Sequence, residues 1–219
     1  ESFQIATDEK TLLSEDDLIG FINKHLKYKK NGFIQHILSE LKKKGLIPLT
    51  SANPKLSILT RLTAFLFGDG NVRILNNRDV ALEFYGDKCD LETIQKDIEK
   101  IDCRSSIHKK KIAMSFITDY YGKKKSVRSS EAFRLVCYSK SLCMLLISLG
   151  APVGNKVVNN LEIPKWIKNS NRHVKREFLA TLLGCEIDTP RLDDRKYNRK
   201  SFNCPRFSMN KIEKNIENG

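Results

Sequence analysis

Asp69 stands between Gly68 and Gly70, at the end of the apolar run Leu62–Phe67. Glycine on both sides lets a carboxylate sit at an abrupt helix end without crowding. Such a carboxylate can hold a hard divalent cation, which prefers oxygen ligands and keeps waters that can serve as nucleophiles. Gly-Asp-Gly is also an ordinary helix-ending turn, because both residue types are common turn formers. A second copy separates the two readings. The stretch "LTAFLFGDG", Leu62–Gly70, corresponds to "LATLLGCEI", Leu179–Ile187, an internal repeat of roughly 115 residues. Glu186 takes the acidic position of that copy and offers the same kind of ligand. Ile187 replaces the second glycine. A β-branched residue does not readily take positive φ, so this helix is expected to end differently. Asp188 then becomes a rival ligand, and Glu186 could instead be a solvated helix-end acid.

These acids need helices to carry them. Ile58, Leu59, Leu62, Phe65 and Leu66 give the first an apolar face over Lys55–Gly68, after the loop "PLTSANP". Val174, Phe178, Leu179, Leu182 and Leu183 do the same for the second, over Val174–Gly184. The small residues Ala64, Gly68, Ala180 and Gly184 predict that the two helices pack together near their acidic ends. After the first helix, Val72–Leu75 and Val80–Tyr85 read as strands around the turn "NNRD", and Leu91–Ile101 as a helix. Ile107–Phe116 and Phe133–Tyr138 read as strands separated by a loop, "YGKKKSVRSS", and Ser141–Leu149 as a helix ending at Gly150. A linker, "GAPVGNKVVNNLEIPKWI", follows, in which Trp166 reads as a packing anchor. After the second motif a strand is expected at Pro205–Met209 and a helix start at Lys211–Ile216. In that register the second repeat lacks its last hairpin and helix, so a fragment or truncated product is expected. Ahead of the first repeat, a Ser14–Asp17 cap and two short helices, ending at Gly45, could be a DNA-reading helix-turn-helix or an amphipathic packing layer.

The chain has 219 residues, a formal net charge of +13 and 40% hydrophobic residues. It is globular, and its charge calls for a polyanionic partner. No apolar run approaches the roughly 20 residues that span a bilayer. No signal peptide is visible, so an intracellular protein is expected, cytoplasmic or nucleoid-associated. Six cysteines are scattered without CxxC spacing, which reads as reduced, buried thiols and not a zinc site. The basic residues cluster. Arg73 and Arg78 lie on the first hairpin, and Lys109, Lys110 and Lys111 on a strand. Lys123, Lys124, Lys125 and Arg128 fill the loop after it, and Arg191, Arg195, Lys196, Arg199 and Lys200 follow the second motif. Such residues supply phosphate contacts while neighbouring hairpin side chains read bases. The run after Arg191 could equally be a solvated charged loop.

The motif "LTAFLFGDG" resembles that of LAGLIDADG homing endonucleases and of the endonuclease domains inside inteins. The segments "KKGLIPLTSANPKLSILTRLTAFLFGDG" and "LLISLGAPVGNKVVNNLEIPKWI" are similar to the corresponding parts of archaeal intein-type enzymes. The resemblance covers about Gly45–Asp188 and implies an α+β fold of two pseudo-symmetric repeats (αββαββα) with antiparallel DNA-binding sheets. The division it implies is a helical segment at 1–50, a first repeat at 51–160 and a partial second repeat at 161–219. It further implies an endonuclease that cuts a specific double-stranded DNA site. Asp69 and Glu186 would be its catalytic, metal-holding acids, with Mg²⁺ as cofactor and Mn²⁺ able to substitute. Family members often carry a catalytic lysine where the second hairpin meets the last helix, and here Lys140 stands at that junction. It could orient or deprotonate water, or neutralise phosphate charge; it could also be a surface lysine. No splicing signature is visible. A monomer is expected if both repeats are complete; truncation of the second leaves a dimer open. The alternative function is a non-cleaving DNA- or RNA-binding protein on the same scaffold, maturase-like or regulatory. A third reading is a winged-helix-type module resting on residues 14–45.

Overall fold

The computed structural model describes residues 9–25, 32–75, 79–110, 114–118, 122–128, 132–154, 156, 161–187, 192–193, 201–202 and 206–207. Helices and antiparallel strands are mixed along the chain. The order is β1 (Thr11–Leu13), α1 (Glu15–His25), α2 (Phe33–Lys43), β2 (Leu49–Thr50), α3 (Leu56–Phe67), β3 (Gly70–Leu75), β4 (Asp79–Gly86), α4 (Lys88–Lys100), β5 (Ser106–Lys110), β6 (Met114–Thr118), β7 (Lys124–Arg128), β8 (Ala132–Cys137), α5 (Lys140–Ser148), α6 (Lys165–Lys168), α7 (Arg172–Glu186), β9 (Leu192–Asp193) and β10 (Ser201–Phe202).

A four-stranded sheet in the order β3-β4-β8-β5 organises the molecule. Strand alternation divides its faces. Val72, Leu82, Phe84, Leu135 and Cys137 join α3, α4 and α5 in the main apolar core. On the other face, Glu83 stands in a row with Asn71 and Val136, and Tyr85 in a row with Arg134. The pairing of β5 with β8 and that of β6 with β7 keep one register. The two pairs therefore act as successive parts of one hairpin that outruns β3 and β4. The sequence had suggested a loop through 121–130. Lys124–Arg128 instead forms β7, because a basic, serine-containing stretch on an exposed hairpin needs no apolar alternation to pair.

Why α3 is central follows from its residues. Leu59, Leu62 and Leu66 belong to the sheet-side core, while Ala64 and Phe67 belong to a second cluster with Ile167, Phe178 and Leu182. A helix apolar on two sides must be covered on both. Its threonines are compatible with that, since Thr60 and Thr63 donate to Leu56 O and Leu59 O at 2.8 Å.

The N-terminal helices form a packing layer. Ser14 and Asp17 make the expected cap, with Asp17 N donating to Ser14 Oγ at 3.1 Å and Ser14 N to Asp17 Oδ2 at 3.0 Å. Leu18, Ile22, Ile37 and Leu41 are fully buried in the main core, where α1 and α2 meet α5. Trp166 is an anchor: its indole N–H donates to Leu149 O at 2.7 Å.

Past α7, Ile187 pairs with Phe207 and β9 with β10, all in one antiparallel register. The expected helix at 211–216 lies outside the described residues. Among those residues, no helix is long and apolar enough to cross a membrane.

Candidate active site at the acidic helix ends

Helices α3 and α7 run side by side in the same direction. Near their starts Ser57 Oγ and His173 Nε2 are 3.1 Å apart, and one turn on Arg61 donates to Glu177 Oε2 at 2.8 Å. Phe67 meets Phe178 edge to face at 5.6 Å. At the ends a Cβ on Gly68 would lie 2.5 Å from Cys185 Cβ and 3.5 Å from Glu186 Oε1. Both acids therefore arrive at one place.

The contact uses different small residues from those expected. Ala64 and Gly68 face α7, but Ala180 is exposed, and a Cβ on Gly184 would meet nothing within 4 Å. Phe178, Leu182 and Cys185, at helical spacing, form the α7 side instead. The glycine argument also changes at Gly70. It has no positive φ; a Cβ there would lie 2.7 Å from Leu66 Cα and 2.9 Å from Phe65 O. Glycine is required by close approach as the chain folds from α3 into β3. Ile187 therefore faces no φ penalty: it is extended, with φ −104° and ψ 131°.

Electrostatics tie the acids together. Asp69 remains solvent-accessible, yet the protein around its carboxyl raises its pKa above the usual value, and the Lys156 ammonium pulls it back. Glu186 is raised first by burial and next by the Asp69 charge, and is likewise lowered by Lys156. Burial pushes the Cys185 thiol between them to about 11, so it remains protonated at neutral pH. Lys156 donates to Phe67 O at 3.2 Å and also to Gly68 O, the last carbonyls of α3. Two carboxylates and two backbone carbonyls are oxygen donors alone, the set a hard Mg²⁺ or Mn²⁺ ion takes together with waters. Among the described residues no group of three His, Cys, Asp or Glu that could hold a metal ion converges.

Lys140 is elsewhere. It begins α5 and lines a cleft of about 590 Å³ with His36, Lys44, Arg104 and Tyr138, a cleft that shares no residue with the acid pair. The lysine that acts on both carboxyls is Lys156. Its segment looked like a linker, and nothing in the sequence distinguished this lysine from its neighbours.

The sheet face opposite the helices carries a second group absent from the sequence reading. Glu83 is 3% exposed. It takes Arg73 on Oε1 at 3.0 Å, Arg134 on the same oxygen at 3.5 Å, and the Tyr85 hydroxyl on Oε2 at 2.7 Å. Two guanidiniums share one carboxylate, so the group carries a net positive charge on an open face. Exposed His108 lies in the row beside Arg134.

Of the other basic residues expected to meet DNA, Lys123 and Lys124 are exposed on the long hairpin. Lys109 is exposed but opposite Phe133, on the helix-facing side of the alternation. Lys110, Lys125 and Arg128 are described as strand positions only. Arg78, Lys111, Asp188, Arg191, Arg195, Lys196, Arg199 and Lys200 lie outside the described residues.

Arg61 fixes the helices that present the acids. It donates to Asp97 Oδ2 of α4 at 2.8 Å as well as to Glu177, and these hydrogen bonds raise its already high pKa. The Asp97 side chain is only 5% exposed. Arg61→Met would leave that carboxylate with Lys100 at 3.6 Å. It is expected to cost about 2–4 kcal/mol in urea unfolding, in the range for breaking a partly buried ion pair. Adding Asp97→Asn should recover part of the loss.

No family model matches the chain. It is 34% identical over 206 residues to the DNA-directed RNA polymerase subunit Rpo1N of Methanocaldococcus jannaschii, a match covering 94% of this chain and 15% of that protein. It is 30% identical over 183 residues to the tRNA-splicing ligase RtcB of Methanopyrus kandleri, covering 82% and 18%. It is 31% identical over 171 residues to the replication factor C small subunit of Methanocaldococcus jannaschii, covering 78% and 9%. The chain thus spans less than a fifth of the length of each of these relatives. Among solved structures it is similar to the homing endonuclease I-WcaI bound to its DNA recognition sequence, with TM-score 0.35, 15% identity and coverage of 80% of this chain and 64% of that one.

Proposed function

We propose that this chain is a LAGLIDADG-type endonuclease that binds double-stranded DNA across its sheets and hydrolyses a phosphodiester in each strand with Mg²⁺ or Mn²⁺. The observation that carries this reading is the meeting of Asp69 and Glu186 at adjoining ends of parallel helices. Two carboxyls in one place, one raised by the charge of the other, are stabilised in their charged form by a cation that joins them. An ion held there would lower the pKa of a bound water and stabilise the leaving oxygen. The chain's own part is to fix both acids through the Gly68–Cys185 contact and to aim the sheet at DNA. The net charge of +13 supplies the attraction, and Arg73 and Arg134 stand on the open face.

Two further observations support the repeat organisation. The pairing of Ile187 with Phe207 takes the place in the second copy that Gly70 with Phe84 takes in the first. Leu179 and Leu183, the counterparts of fully buried Leu62 and Leu66, are 47% and 38% exposed, on the side where a second sheet would lie. The relatives support the insertion of a module. One segment recurs in a polymerase subunit, a ligase and a replication factor while making up 15%, 18% and 9% of them. A shared activity of the three hosts is a poor account of that, and a mobile endonuclease segment is a good one.

The test is selection of cleaved sites from randomised DNA with Mg²⁺ present. Recovery of one site, cut in both strands, is expected; a pool without enrichment would overturn the reading. Binding should also weaken steeply with salt. If about six phosphates are neutralised, log K should fall with a slope of about −5 per log unit of salt. A slope near zero would detach the positive charge from DNA.

A further inference from the structure

Lys156 comes from the segment between α5 and α6. That segment is pinned to the edge strand of the sheet, where Val153 pairs with Val72. Its ammonium sits on the carbonyls of Phe67 and Gly68 and acts on both Asp69 and Glu186. Those are the oxygens that would hold a divalent ion. A monovalent cation tethered to the chain therefore occupies the position that the proposed chemistry needs for a metal. There is also room for its ammonium to move. An open cleft of about 570 Å³ runs along β3, lined by Asn71, Arg73, Val153 and Lys156 itself. Asn71 and Arg73 belong to the open face of the sheet.

We propose that Lys156 is a built-in stand-in for the metal: it holds the acid pair together in the metal-free protein and moves off the Phe67 and Gly68 carbonyls, along the β3-edge cleft it already lines, when a divalent ion binds. This rests on the metal reading of the acid pair proposed above. The physical reason is charge balance. Two carboxylates at one spot require a cation for α3 and α7 to stay packed at their ends, and one lysine partly neutralises them. With a divalent ion held by Asp69 and Glu186 the pair would be fully neutralised, and an ammonium at the same oxygens would be repelled. The displaced lysine then stands beside Arg73, where a DNA phosphate could receive it. Exchange would keep the helix ends ordered before metal arrives and would bring a phosphate contact into use only in the loaded enzyme.

The test uses the full chain and Mn²⁺ or Mg²⁺ alone, without DNA. Competitive acylation of lysines, read by mass spectrometry, should show Lys156 reacting several-fold faster at saturating Mn²⁺, while lysines remote from the acids do not change. Lys156→Met should melt at lower temperature than wild type without metal, and Mg²⁺ should raise its melting temperature by more than it raises that of wild type. Its Mn²⁺ affinity should tighten by about tenfold, the scale of one charge removed from a partly desolvated site. Unchanged or slower labelling of Lys156 with Mn²⁺ bound would overturn the proposal, even if the variant fails to fold. So would an affinity that is unchanged or weakened in Lys156→Met, or absence of Mn²⁺ binding to both proteins. Mn²⁺ binding with lysine exchange but no DNA cleavage would sink the functional reading and leave the exchange standing.

Discussion

Asp69→Asn should leave DNA binding nearly intact and remove strand cleavage. The amide keeps the size of the side chain and leaves the Gly68–Cys185 contact untouched. It removes one of two negative charges that would hold the ion, and the activated water goes with the ion. The expected loss of cleavage rate is at least about a thousandfold, since both the nucleophile and the stabilisation of developing charge depend on it. Glu186→Gln should abolish cleavage of the other strand, or of both if a central ion is shared. The shared outcome is favoured because the Asp69 charge acts directly on the Glu186 carboxyl. Supercoiled plasmid carrying the target separates the cases: nicked circles mean one strand is cut, linear product means two. Asp69→Asn cutting as fast as wild type would remove the metal role and favour the non-cleaving binder. Loss of binding along with cleavage would mean that the acid is structural.

The sequence showed the two acid-bearing helices because their apolar spacing is helical and their ends coincide with glycine or acidic residues. It did not show which sides of them meet. Ala180 and Gly184 suggested close approach by type, but the chain places Phe178, Leu182 and Cys185 on the inner side, a choice made by the partner helix and not by α7 alone. Lys156 was illegible for a related reason. Its place depends on contacts such as the pairing of Val153 with Val72, between segments about eighty residues apart, and local pattern does not encode them. Glu83 read as one more polar residue of an alternating strand. Only with β4 between β3 and β8 do Arg73 and Arg134 converge on it. The long hairpin was half legible: β5 and β8 carry apolar alternation next to the core, whereas β7 lies beyond the core and carries none.

Gly68→Ala should be among the most damaging single-methyl additions in this protein. The added Cβ would lie 2.5 Å from Cys185 Cβ and 3.0 Å from its Sγ. Rotation of the thiol relieves the second contact but not the first, since a Cβ moves only with its backbone. The helices must therefore separate where Asp69 and Glu186 meet. Overpacking of this kind costs about 1–3 kcal/mol, and the upper end is expected because both atoms are backbone-fixed. Cleavage should fall by more than stability requires, because the two carboxylates that would hold the ion are displaced relative to each other. Cys185→Gly supplies the control. Alone it is expected to cost about 1 kcal/mol, through lost packing of the thiol together with a smaller loss of helix propensity; with Gly68→Ala it frees the space the new methyl needs. Urea unfolding of the four proteins should give a favourable coupling of about 1–2 kcal/mol for the pair, with part of the cleavage activity restored. Additive costs would mean that the two residues do not touch, and that the acids are brought together by the Phe67–Phe178 contact and not by this one.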